Sequence, residues 1–185
     1  MNVIPTGLPG VVVIEPRVFA DLRGHFLESW SARRYAEAGL PAQFVQDNLS
    51  VSRKGVLRGL HLQAPSAQSK LIGVLEGEIY DVAVDVRVGS PTFGKWVGVT
   101  LSANPPRQIF VPAGFAHGFV VLSESASVHY KCDAYYAPAD ELTVLWNDPD
   151  LAIDWPTTAP ILSPKDGEGR RLRDIPRERL PQYDA

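Results

Sequence analysis

Fifteen glycines and sixteen prolines are spread along this 185-residue chain, and they break it into apolar runs too short for long helices. Glycine weakens a helix interior through backbone entropy, and proline through its missing N–H and a steric clash. What survives between them is a series of strand-length segments bounded by turn residues, the pattern of a β-sandwich or barrel. Residues 11–14 read as a first strand ending at Glu15-Pro16, and residues 26–30 as a second after the Asp21-Leu22-Arg23-Gly24 turn. The best helix covers residues 32–38, short and peripheral, with Ser31 as N-cap and Gly39 as the C′ stop. Phe44-Val45 leads into Gln46-Asp47-Asn48, residues 56–63 follow a Lys54-Gly55 turn, and residues 71–75 end at Glu76-Gly77. Further strands are expected over 96–101, 108–111, 119–122, 128–132 and 142–146, before a tail from Asp148 rich in proline and charge. No repeat or linker interrupts the series, so residues 1–185 read as one domain.

Two segments carry a clear period of two. Tyr80, Val82, Val84 and Val86 alternate with Asp81, Ala83, Asp85 and Arg87. The aspartate face looks either into a barrel or out to solvent. In residues 128–132, Tyr130 shares a side with Val128 and Cys132 and is expected to point inward, with His129 opposite.

A net charge of −3 and a pI near 5.8 argue against nucleic acid or an anionic membrane as a general partner, so an anionic ligand must be met by local cations. The lone cysteine, Cys132, excludes an internal disulfide framework and any multi-cysteine metal site. No signal-like start or apolar stretch of spanning length occurs, which leaves a cytoplasmic protein as the expectation.

The chemistry concentrates in Val56-Leu57-Arg58-Gly59-Leu60-His61-Leu62-Gln63, where a guanidinium and an imidazole lie three residues apart on a strand. Arginine holds anions through a planar fork of donors, and histidine titrates near neutrality. Taken alone, His61 reads equally well as a proton-transfer group or as a strand histidine bonded to backbone. Lys70 alone reads as a solvated lysine and Tyr130 as a core tyrosine with a satisfied hydroxyl.

The ordered blocks Glu15-Pro16, Arg23-Gly24, Phe44-Val45-Gln46-Asp47-Asn48, residues 56–61, Lys70-Leu71, Gly77-Glu78, residues 81–85, residues 90–94, residues 112–119, Tyr130-Lys131 and Trp146-Asn147-Asp148-Pro149 resemble the dTDP-4-dehydrorhamnose 3,5-epimerase family over nearly the whole chain. The resemblance implies an all-β, cupin-like jelly roll with a few short helices. It also implies a homodimer in which an N-terminal segment reaches the neighbour's site, and a dTDP-linked 4-keto-6-deoxy sugar as substrate.

Epimerisation beside a ketone removes an α-proton on one face, holds the enolate and returns a proton on the other face. By resemblance His61 is the base and Asp166, in Ser163-Pro164-Lys165-Asp166, orients it; Lys70 stabilises the enolate oxygen and Tyr130 supplies the returning proton. Arg23 and Arg58 are expected to hold the diphosphate, Gln46 and Asn48 to contact sugar or phosphate, and His117 to contact substrate. Phe26 and Glu28 are expected near the base, across a dimer. No cofactor is implied. Metal-binding cupins carry a second histidine two residues after the first, where this chain has Gln63, so only His61 and His117 match ligand positions and no metal is expected. The chain departs from the family pattern at Leu49, Ser69 and Gly73, where histidine, glycine and arginine are usual. Rival readings are an epimerase of C3 or C5 alone, a metal-dependent cupin enzyme, and a noncatalytic sugar-nucleotide-binding cupin.

Overall fold

The computed structural model describes residues 1–183. In chain order its strands begin with β1 (Asn2–Pro5), β2 (Val12–Glu15), β3 (Val18–Asp21), β4 (Gly24–Leu27), β5 (Gln46–Arg53), β6 (Leu57–Gln63) and β7 (Lys70–Glu76). They continue with β8 (Glu78–Asp85), β9 (Trp96–Ser102), β10 (Gln108–Val111), β11 (Phe115–Val121), β12 (Ser125–Cys132) and β13 (Glu141–Thr143). A six-stranded sheet in the order β1-β2-β10-β7-β12-β5 faces a five-stranded sheet in the order β13-β6-β11-β8-β9, while β3 and β4 form a separate ribbon. All of these pairings are antiparallel. This is the all-β jelly roll that the resemblance implies, and a form of the sandwich or barrel expected from the turn residues.

Several strands differ from the sequence reading. A first strand forms at Asn2–Pro5 with no strong β pattern of its own, because it pairs with β2. The strand expected over 26–30 is instead Gly24–Leu27, closing on Val18–Asp21 across the foreseen turn. β11 starts at Phe115, earlier than expected, since all seven of its residues are buried on both faces and alternation gives no signal there. Helix α1 (Ala32–Glu37) ends as expected: Gly39, at φ +76°, donates its N–H to Ala36, and Leu40 donates to Tyr35, a Schellman stop. Ser31 occupies the N-cap position, but its side chain makes no capping bond.

Three apolar clusters hold the layers. Ile72, Val74, Ile109 and Val128 from the first sheet meet Ile79, Leu101, Phe115 and Phe119 from the second in the interior. Tyr35 of α1 packs with Ile14, Leu71 and Phe110 on the outside of the six-stranded sheet. On the outside of the five-stranded sheet, Val82, Val84 and Val120 are covered by Leu151, Trp155, Leu172, Ile175 and Leu180, so the proline-rich tail is cladding. Both faces of β8 are therefore buried, and the aspartate face belongs to the interior. Asp81 and Asp85 are each 0% exposed, which removes the solvent-facing option for Asp85. Asp85 is satisfied by Arg87 (2.7 Å), Ser90 (2.6 Å) and Thr92 (2.6 Å).

Gly59 shapes the segment that carries His61. Its φ is +124°, and a Cβ there would lie 2.5 Å from the Gly118 Cα and 2.7 Å from the His117 carbonyl oxygen. Only glycine permits this approach of β6 to β11, whose register shifts between His117 and Phe119.

Candidate active site

One end of the interior is polar. Here a cleft of about 440 Å³ is lined from the five-stranded sheet by His61 and His117 and from the six-stranded sheet by Asn48, Lys70 and Tyr130. The strand period puts these side chains inside: Tyr130 pairs with Asn48 on β5 and with Ile72 on β7, so all three share its inward face. Cross-strand pairing of His117 with His61 brings both imidazoles to the opposite wall.

His61 Nε2 lies 2.6 Å from Asp166 Oδ1. Asp166 is supplied by the short helix α2 (Pro164–Gly167) and is 3% exposed. Its second oxygen accepts from the Ser163 hydroxyl at 2.7 Å, and Oδ1 also accepts the Gly59 N–H at 3.3 Å. Burial alone would raise this carboxyl's pKa; the hydrogen bonds from His61 and Ser163 win and hold it below the usual range. An ionised carboxylate on Nε2 keeps the hydrogen there, leaving Nδ1 as the basic nitrogen.

Burial pushes the pKa of Lys70 down, against the opposing pull of Cys132 and Asp81. Burial likewise pushes the Tyr130 phenol up. His117 Nε2 is held by both oxygens of Asp81, at 3.0 and 2.9 Å. Arg58 is oriented through its Nε by the Ser52 hydroxyl at 3.0 Å. Gln46 donates to Asn48 Oδ1 at 3.0 Å and accepts the Tyr136 N–H at 2.9 Å, so it braces the rim as well as lining the cleft. Gln63 is occupied with Ser66 O and the Ala137 N–H, each within 2.9 Å. Among the described residues no group of three or more His, Cys, Asp or Glu is arranged to hold a metal ion. The two cleft histidines spend their Nε2 atoms on carboxylates.

Thus His61, Lys70, Tyr130, Asp166, Gln46, Asn48, Arg58 and His117 converge on one cleft. Arg23, Phe26 and Glu28 do not reach it within this chain: Arg23 pairs with Asp21, Phe26 is 70% exposed, and Glu28 pairs with Arg34 at 3.2 Å.

The model of the family described as dTDP-4-dehydrorhamnose 3,5-epimerase matches residues 5–174. The chain belongs to that family. Its dTDP-4-dehydrorhamnose 3,5-epimerase from Pseudomonas aeruginosa is 54% identical over 176 residues, covering 94% of this chain and 97% of the relative. The crystal structure of dTDP-6-deoxy-D-glucose-3,5-epimerase RmlC from Legionella pneumophila, in complex with dTDP-4-keto-L-rhamnose, is 53% identical, with a TM-score of 0.97 over 100% of this chain and 99% of that one. A dTDP-4-dehydrorhamnose 3-epimerase from Streptomyces niveus is 43% identical, over 94% of this chain and 85% of its own length.

Sequence reasoning about this family member left several groups of the cleft without a role, among them Ser163, Glu141, Tyr136 and Lys165. Ser163 carried a usable signal, because Ser-x-x-Asp is the spacing of a capped helical turn, and Ser163 accepts the Asp166 N–H at 3.2 Å. Glu141, Tyr136 and Lys165 carried none, since they meet only through tertiary structure: Glu141 accepts from Tyr136 at 3.0 Å and from Lys165 at 2.8 Å. Burial would raise the Glu141 carboxyl, yet those two donors bring it below its ordinary value.

Proposed function

We propose that this chain epimerises C3 and C5 of dTDP-4-dehydro-6-deoxy-D-glucose, giving dTDP-4-dehydro-L-rhamnose, the precursor of dTDP-L-rhamnose. One observation carries the reading: His61 and Tyr130 enter the same cleft from opposite sheets. A base on one side and a phenol on the other are what inversion beside a ketone requires. His61 Nδ1 takes the α-proton, Asp166 stabilises the imidazolium, Lys70 meets the enolate oxygen, and Tyr130 returns a proton to the other face. No cofactor enters these steps.

Arg58, Asn48 and His117 hold the sugar nucleotide within the chain. Arg23, Phe26 and Glu28 act on the neighbour's substrate in a homodimer, carried by the β3–β4 ribbon at the N-terminal end. Two features support a second copy as the cover. Phe19, Leu22 and Phe26 are 51%, 107% and 70% exposed on that ribbon, and Leu49 and Val51 are 61% and 65% exposed on the outer face of β5. We assign the whole chain to one cupin-like domain acting in the cytoplasm, in keeping with the single free, buried cysteine. No helix among the described residues is long and apolar enough to cross a membrane.

Turnover in deuterium oxide tests the reaction. Deuterium at both C3 and C5 of the product is expected. Label at one carbon only would make this a single-carbon epimerase, the second reading, which the relative named a 3-epimerase keeps open. Label at neither would overturn the reading.

A further inference from the structure

The inward face of β5 carries Gln46, Asn48, Ser50 and Ser52, two residues apart and all polar. Three of them are engaged. Gln46 bonds Asn48 and the Tyr136 N–H, Asn48 reaches Cys132 Sγ at 3.7 Å, and Ser52 accepts from Arg58. Ser50 lines the same cleft, and its hydroxyl is buried with no hydrogen-bond partner among the described residues. The other such side-chain atom, Trp30 Nε1, belongs to the cluster beneath α1 on the outside of the sheet. A buried hydroxyl without a partner destabilises a fold, and alanine would sit in the same place without that cost. A hydroxyl at this position is explained when a ligand supplies the acceptor.

The register identifies the ligand atom. Asn48 lies opposite Tyr130, and so marks the sugar end, while Ser52 holds Arg58, the cation for the diphosphate. Ser50 sits between them, about 7 Å from each along the strand. We propose that Ser50 is a substrate-binding residue whose hydroxyl donates to an anionic oxygen of the sugar-bearing phosphate. This rests on the sugar-nucleotide reading of the cleft and adds to it the group that fixes the junction between sugar and diphosphate.

Calorimetric titration of the wild type and S50A with dTDP and with dTMP, together with thermal unfolding, tests the assignment. Binding of dTDP by the wild type checks the sugar-nucleotide reading separately, so the two ideas fail in different measurements. S50A is expected to lose roughly ten- to a hundredfold in dTDP affinity, as for a hydrogen bond to a charged group. It should bind dTMP, which lacks the second phosphate, as the wild type does, and unfold no earlier than the wild type. S50T keeps a hydroxyl on a strand position that suits a β-branched residue, and is expected to recover most of the affinity. Unchanged dTDP affinity in S50A would overturn the proposal. So would equal losses for both nucleotides, or a lowered unfolding temperature in S50A without weaker dTDP binding, which marks an ordinary structural serine.

Discussion

At the scale of single residues, the proposed reaction divides the work of the cleft between groups that meet substrate and groups that hold them. H61N is expected to abolish turnover while leaving the circular dichroism spectrum and unfolding midpoint close to wild type, since the ring is partly exposed on the cleft wall. D166N should cost on the order of 10²–10⁴ in kcat, because the amide neither fixes the tautomer nor stabilises the imidazolium. S163A should fall between D166N and the wild type, with S163T restoring the hydroxyl and most of the rate; steady-state kinetics decides both. The alkaline limb of the pH profile follows from two opposite shifts. Burial moves Lys70 below its ordinary 10.5 and Tyr130 above its ordinary 10.0, which brings loss of the lysine's proton toward neutrality and carries loss of the phenol's away from it. Activity is therefore expected to fall with neutralisation of Lys70. K70R, whose guanidinium stays charged, should move that limb upward even at a lower rate. Y130F should lower the rate without moving it.

At the scale of elements, β6 and β8 show what a strand must give up to build a site in its own interior. G59A would drive a methyl group into Gly118 and the His117 carbonyl, separating the strands that carry both cleft histidines. Loss of activity together with a destabilisation of a few kcal/mol is expected by denaturant titration. At the far end of β8, Asp85 is held at about 2 against an ordinary 3.8: burial opposes ionisation, but bonds from Arg87, Ser90 and Thr92 overcome it. A depressed folded-state value contributes stability above pH 3.8 that disappears as pH falls toward 2, here worth about 2 kcal/mol. Urea midpoints should show D85N destabilised near neutrality, with the gap to the wild type closing across that acidic window. The inward direction of Tyr130 was legible from the spacing of Val128 and Cys132, because alternation on a half-buried strand reports its faces. The burial of Asp81 and Asp85 was not: an aspartate on an alternating strand looks like a solvent face until a second sheet is known to cover it.

At the scale of the whole molecule, the layer order could not be read from the chain, because strand neighbours such as β12 and β5 are far apart in sequence. The partnership of His61 with Asp166, 105 residues away, came from family resemblance and not from spacing. The same holds for the assembly. Charged substitutions L49K and V51K on the outer face of β5 are expected to yield a monomer by analytical ultracentrifugation. That monomer should bind dTDP more weakly, because Arg23, Phe26 and Glu28 would no longer meet a neighbour's ligand. Unchanged dimerisation would exclude this face as the contact.

The closing segment of the chain both clads the five-stranded sheet and delivers Asp166 to the imidazole. Ile161 accepts the Leu57 N–H and Arg170 accepts the Leu145 N–H, so the Ser163–Asp166 turn is moored on either side. A nascent polypeptide emerging from the ribosome has its imidazole long before its carboxylate. Under the proposed reaction, competence for proton transfer thus arrives with this outer layer, and a copy terminated before residue 166 is expected to lose the carboxylate's share of the rate.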